Sequence, residues 1–162
     1  MKEYPYKERL LAGIIDSLLL SMINSIYMLP ASFFAVIPLI LKLIQQSDLD
    51  PNLVDAEGYI TSLLWLVMWL VIIMLLSIAI GLYWYVLRPA KHNGQTFGKS
   101  FMKVKIVKVD SSSLTTTNLL VRYLAQVFLA QAISIFVYIT IFIDDEKRAV
   151  YDFVSNTKVV RA

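Results

Sequence analysis

Polar and apolar positions fall in long alternating blocks. A polar lead, MKEYPYKER (1–9), carries Lys2, Lys7 and Arg9, and the run from Leu10 to Leu41 that follows has Asp16 as its only charge. As one helix those 32 residues would extend about 48 Å at roughly 1.5 Å per residue, against a hydrocarbon core of about 30 Å. Pro30 and Pro38 divide the excess. The pattern predicts a first transmembrane helix at about 10–29 and a kinked or interfacial segment at about 31–46. Residues 42–58 form a polar, acidic loop with Asp48, Asp50, Asp55 and Glu57. Tyr59 to Leu87 holds no charge and ends in Tyr83, Trp84 and Tyr85, an aromatic belt. It predicts a second transmembrane helix at about 60–87.

The stretch 88–118 is basic, with Arg88, Lys91, Lys99, Lys103, Lys105 and Lys108 against Asp110 alone. Within it KVKIVKV (103–109) alternates with a period of two, the pattern of a strand, and DSSS (110–113) reads as a turn. A third apolar segment, about 119–143, is interrupted by Arg122, Gln126, Gln131 and Ser134. The tail ends in a second β-like run, Lys158 to Arg161. The whole, 1–162, reads as a single all-α membrane domain. It has two transmembrane helices, a third helical segment that spans or re-enters, and a small cytoplasmic β-like element.

Composition points the same way. The chain is 58% hydrophobic and 17% charged, where a soluble domain is about half apolar and roughly a quarter charged. The net charge of +3 follows membrane topology, since Lys and Arg collect in cytoplasmic loops. No aromatic-interleaved basic domain suggests nucleic acid. The chain has no cysteine, which excludes disulfides and thiolate chemistry. The first apolar run is longer than the core of a cleavable signal and contains Asp16, so it is expected to be retained.

The distribution of Lys and Arg places the amino terminus and the 88–118 loop in the cytoplasm and the acidic loop outside. A single crossing by 119–143 would put the basic tail outside. A re-entrant pair of half-helices broken near Gln131 would return it to the cytoplasm, where its strand could pair with KVKIVKV. Such irregular backbone is tolerated where protein surrounds it.

Asp16 is the most informative residue. A carboxylate about 10 Å below the start of a membrane helix costs about 2.5 to 3.5 kcal/mol on insertion scales. On a helical wheel Arg9, Gly13, Ser17, Ser21 and Asn24 all lie within about 140° of it on one side, and the opposite face is Leu, Ile and Met. Asp16 is either a proton- or cation-linked carboxylate or half of a buried ion pair with Arg122 or Arg9 that locks helices together. Ser17, Asn24 and, one turn after Arg122, Gln126 form a secondary polar face. Arg122 either snorkels to the interface or partners Asp16.

The string GQTFGKS (94–100) has one residue too few between its glycines for a phosphate-binding loop, and a membrane helix precedes it. It reads instead as a tight turn into a basic amphipathic segment lying on anionic headgroups. His92 is the sole histidine, and with neither cysteine nor a carboxylate cluster beside it no metal site is expected. No nucleophile and base pair up, so no enzyme activity and no cofactor are expected.

The chain resembles the RDD family of bacterial integral membrane proteins, named for one Arg and two Asp. The resemblance rests on ERLLAGIIDSLLL with Arg9 and Asp16, GQTFGKSFMKVKIVKVD, LLVRYL with Arg122, and EKRAVYDFVSNTKVV with Asp152, in that order. Tyr151 stands where the family commonly has His, and 153–156 depart from its Leu-Ala-Gly stretch. The resemblance implies a multi-pass protein of the bacterial plasma membrane and an ion cluster of Arg9, Asp16, Arg122 and Asp152. It implies little chemistry, the family being largely of unknown function, and the expected activity is cation- or proton-coupled transport of a small solute. The alternative is a non-enzymatic accessory or regulatory subunit of another membrane protein, such as a membrane peptidase or an envelope-defence system. Three membrane segments are few to enclose a pathway, so a homo-oligomer or a partner membrane protein is expected.

Overall fold

The computed structural model describes residues 4–47, 56–110, 112–133 and 140–162. Helix α1 spans Tyr6–Ser47. Helix α2 spans Ala56–Leu82, passes into a π-helical turn at Tyr83–Leu87, and resumes as α3, Arg88–Lys91. Short α4 (Phe97–Phe101), strand β1 (Val104–Lys108), α5 (Thr116–Ile133), α6 (Thr140–Ile143), α7 (Val150–Val154) and β2 (Thr157–Arg161) complete the chain.

Two of the helices are long and apolar enough to cross a membrane, within Tyr6–Gln45 and Ala56–Lys91. They match the two apolar runs of the sequence, and of the two readings of 31–46 it is the extension that holds, since the segment continues α1. The helix runs on through Pro30 and Pro38. In an apolar medium a helix is the one local structure that satisfies the remaining backbone groups, so a proline there is accommodated rather than decisive. The acidic loop at Asp48, Asp50 and Asp55 lies outside the described residues, as does 134–139 in the third apolar segment. Helix α5 continues unbroken through Gln131 to Ile133.

The chain divides into two compact units. One, Leu20–Ala79, holds most of α1 and α2. Its only buried residues among those described are Ala35, Ser62 and Ile73, while Ile26 and Leu29 are more than 70% exposed, a surface suited to acyl chains. Its hydroxyls find partners within the unit: Ser62 Oγ donates to Gly58 O at 2.9 Å, Ser77 Oγ donates to Ile73 O at 2.9 Å, and Tyr27 Oη and Ser77 Oγ lie 2.7 Å apart. This is how polar side chains are satisfied where water is absent.

The other unit joins the residues up to Leu19 with Ile80–Ala162. Its centre is an antiparallel pair, β1 with β2, in the register Val104↔Arg161 to Lys108↔Thr157. Alternation puts Val104, Ile106 and Val159 on the inner face, against Ala12, Val86 and Leu119. The strand expected at 103–109 and that expected at Lys158 to Arg161 are these two. A second cluster packs Ile141, Ala149 and Tyr151 with Tyr6, Leu10 and Leu129. Gly94 turns the chain back over the sheet with φ +80°, where its carbonyl accepts from Ile106 N at 2.9 Å. A side chain there would meet Ile106 O at 2.2 Å, so only glycine fits.

Candidate functional site

Four segments distant in sequence bring five buried charges into the second unit: Arg9, Asp16, Lys99, Arg122 and Asp152. On the part of α1 that belongs to this unit the buried positions are Arg9, Ala12 and Asp16, spaced three and four apart as one helical stripe. The face that packs is therefore centred on Asp16 and Ala12. Gly13 and Ser17, expected to share it, are exposed.

Asp16 is 1% exposed and saturated with donors. Its Oδ1 accepts from Trp84 Nε1 at 2.9 Å and from the Gly98 amide at 2.8 Å. Its Oδ2 accepts from the Thr96 hydroxyl and lies 3.9 Å from Lys99 Nζ. Thr96 caps α4, receiving Lys99 N at 3.3 Å and Lys99 Nζ at 3.4 Å. Its one donor and two acceptor sites are thus all used. The π turn in α2 supplies Trp84: the Arg88 amide reaches back to Tyr83 O, and the wider turn buries Trp84 and Val86. Single π turns of this kind re-aim side chains within a helix. Gly98 lets α4 touch α1, for a Cβ there would lie 2.2 Å from Ala12 O and 2.9 Å from Asp16 Cγ.

Asp152, with 0% exposure, is held by two guanidinium groups. Arg9 Nη2 pairs with its Oδ2 and Arg122 Nη1 with its Oδ1, and the Ala149 amide donates to Oδ2 at 2.8 Å, capping α7. Arg9 Nη1 donates to Lys147 O at 2.7 Å and Arg9 Nη2 to Tyr151 Oη at 3.2 Å. Arg122 Nη1 donates to Thr157 Oγ1 at 2.8 Å. The Tyr151 ring lies 5.7 Å from the Arg9 guanidinium carbon and 5.0 Å from that of Arg122, within cation–π range.

The sequence suggested that Asp16 would pair with Arg9 or Arg122. It pairs with Lys99. Arg9 is two helical turns from Asp16, and both arginines are committed to Asp152, the carboxylate the resemblance supplied. Lys99, Thr96, Gly98, Trp84 and Tyr151 were missed as site residues. One signal was present: Thr96 is a capping residue ahead of FGKSF. Lys99 was expected on anionic headgroups, and its burial against Asp16 corrects that. Of the secondary polar face, Asn24 lies in the first unit, where its Oδ1 accepts from Tyr27 Oη at 3.1 Å. Gln126 is half-buried on α5.

Burial pushes the Lys99 amine down to about 8, helped by the Arg122 charge and opposed by Asp16. If every group is ionised, three cations face two carboxylates, an excess of one positive charge that deprotonation of Lys99 would remove. Around this centre Arg148 pairs with Asp144 at 3.1 Å, and Lys158 with Glu146 at 2.9 Å. The hydrogen bonds from Arg148 and Lys158 hold those two carboxyls below their ordinary range.

No curated protein and no solved structure matches the chain. A family model does: that of the RDD family, over residues 5–156. That match takes in Arg9, Asp16, the 94–100 turn, Arg122 and Asp152. This is a membrane-type protein with apolar helices, and the chain belongs to the RDD family.

Proposed function

We propose that the chain is a small transporter in which the Asp16–Lys99 pair carries a proton coupled to the movement of a cation or other small solute. The supporting observation is a buried carboxylate 3.9 Å from a buried amine that burial pushes down to about 8. Such pairs within membrane proteins mark proton and ion paths. With Lys99 protonated, Asp16 has its counter-ion. Loss of that proton leaves the Asp16 charge to its neutral donors and creates a demand for another cation. The Arg9–Asp152–Arg122 triad is the fixed frame in which this exchange occurs.

Pairing of β2 with β1 favours a tail on the side of the basic loop, hence amino and carboxyl termini in the cytoplasm of a bacterial plasma membrane and a third apolar segment that re-enters. Two long apolar helices cannot enclose a path alone, so the working form is a homo-oligomer. The test is proton flux in proteoliposomes. Asp16→Asn and Lys99→Met should each abolish it while the protein remains folded and monodisperse. Flux equal to wild type in both rejects the reading.

One observation favours the second reading, an accessory subunit. Asp16 and Asp152 are closed over by their own chain, as a structural pin would be. Under that reading a partner, such as a membrane peptidase, co-purifies stoichiometrically in mild detergent, and no flux is measured.

A further inference from the structure

Helix α4 turns its one charge inward and its aromatic rings outward. Lys99 is buried with Gly98 against Asp16, whereas Phe97, Ser100 and Phe101 face outward. Residues four apart share a helix face, so the two rings make one apolar stripe. Phe101 is 77% exposed, more than any other large hydrophobic side chain described. Phe97 is fixed in place: its ring lies 4.5 Å from that of Trp84 and 3.4 Å below the Arg88 guanidinium carbon. Phe101 projects freely beyond it.

Two further observations say what covers this stripe. The helix that carries the second candidate span ends at Lys91, six residues before α4 begins, so α4 follows directly on a helix long and apolar enough to cross a membrane. The ends of the stripe are also basic. Lys91, His92 and Lys103 are exposed, and Asp110 is the only acidic residue between Arg88 and Asn118. Aromatic rings among headgroups, flanked by cations, are the composition of an interfacial anchor.

We propose that α4 is such an anchor. Phe97 and Phe101 insert into the headgroup–acyl boundary, and Lys91 and Lys103 engage the phosphates of anionic lipids. The occupant is the bilayer surface, not a partner protein. The proposal stands independently of the transport reading. It revises the expected role of the basic turn: the lipid contact belongs to its aromatic face and flanking lysines, and Lys99 looks the other way. It also puts the lipid contact one peptide from the Gly98 amide that binds Asp16.

The chain has no native cysteine, so Phe101→Cys can carry a single polarity-sensitive fluorophore in the full-length protein. Phe101 lies outside both buried clusters, so the label does not perturb the core. In phosphatidylcholine vesicles containing phosphatidylglycerol, emission should be blue-shifted and quenched by lipids spin-labelled near the headgroup. A label at Ser112→Cys, in the exposed turn after β1, should remain water-like. Each lysine near an anionic surface is worth roughly a five-fold preference for anionic lipid. Quenching by spin-labelled phosphatidylglycerol should therefore exceed that by spin-labelled phosphatidylcholine, and Lys91→Gln with Lys103→Gln should bring the two together. Water-like emission at position 101 would overturn the proposal. So would cross-linking of that position to a co-purifying protein in place of lipid quenching. Equal quenching by both lipids in the wild-type background would overturn its anionic part.

Discussion

The Gly98 amide and the Asp16 carboxylate meet at 2.8 Å, and the hydrogen bond exists because residue 98 has no side chain. A Cβ there would sit 2.2 Å from the Ala12 carbonyl oxygen, and a backbone atom cannot swing aside. Gly98→Ala should therefore separate α4 from α1, remove one charged hydrogen bond and withdraw Lys99. Overpacking and the lost bond together put the destabilisation at about 3 kcal/mol or more. Ser17→Ala, one residue from Asp16 but exposed, should stay within about 0.5 kcal/mol of wild type. Unfolding followed in detergent by tryptophan fluorescence distinguishes the two, and equal effects would refute the packing described here.

Asp152 is the hinge of the second half of the cluster. Asp152→Asn leaves Arg9 and Arg122, 6% and 7% exposed at their side chains, with no opposing charge. Removing one partner from a buried ionic group costs about 3 to 5 kcal/mol. Arg148→Ala removes a pair in which both side chains are about a fifth exposed, and such pairs contribute roughly 0 to 1 kcal/mol. The ratio of the two losses in denaturant unfolding is the check, and a near-neutral Asp152→Asn would mean that the triad does not hold the fold.

The long apolar runs and the period-two alternation of KVKIVKV could be read directly, because burial and lipid exposure act on every residue of a segment and leave a pattern. So could the exceptional standing of Asp16, since an acid in an apolar run has few explanations. Which cation meets which carboxylate could not be read. Asp16 receives Lys99 only because a five-residue helix, invisible to periodicity, approaches α1 at a glycine. Trp84 donates to Asp16 only because α2 widens for one turn; in sequence it was one of three interfacial aromatics. Arg9 lies on the same face of α1 as Asp16, yet its guanidinium reaches Asp152, 143 positions away, a choice settled by the sheet and α7.

Lys99 gives the protein a measurable alkaline dependence. Its folded value, about 8, lies below the ordinary 10.5, so between those limits the unfolded chain binds more protons than the folded one. Stability must then rise with pH across that window, by at most about 1.4 kcal/mol per unit. Below pH 8 both states are protonated, the slope vanishes, and the full burden of the buried charge is present. Lys99→Met has no such group, so its stability relative to wild type should be greatest below pH 8 and shrink above it. Unfolding of both proteins from about pH 7 to pH 10 measures the difference and cancels the titration of other lysines and tyrosines. A constant difference would show that Lys99 does not lose its proton in this window.

The pairing of the two strands constrains the path of the third apolar segment. The Ala162 amide donates to Lys103 O at 2.8 Å, and Lys105 faces Val160 in the register. Helices α5, α6 and α7 lie between these strands in sequence, so the chain that leaves β1 must return to the same sheet. Single cysteines at Lys105→Cys and Ala162→Cys should therefore react with a membrane-impermeant maleimide from one and the same side. With the basic loop inside, both should be labelled in inverted vesicles and protected in intact cells. The agreement matters more than the side, because it does not depend on charge rules. If position 162 reacted from outside while position 105 reacted from inside, the strands could not pair across the bilayer. Thr157 would then be lost as a partner of Arg122, and the arginine frame around Asp152 would come apart with it.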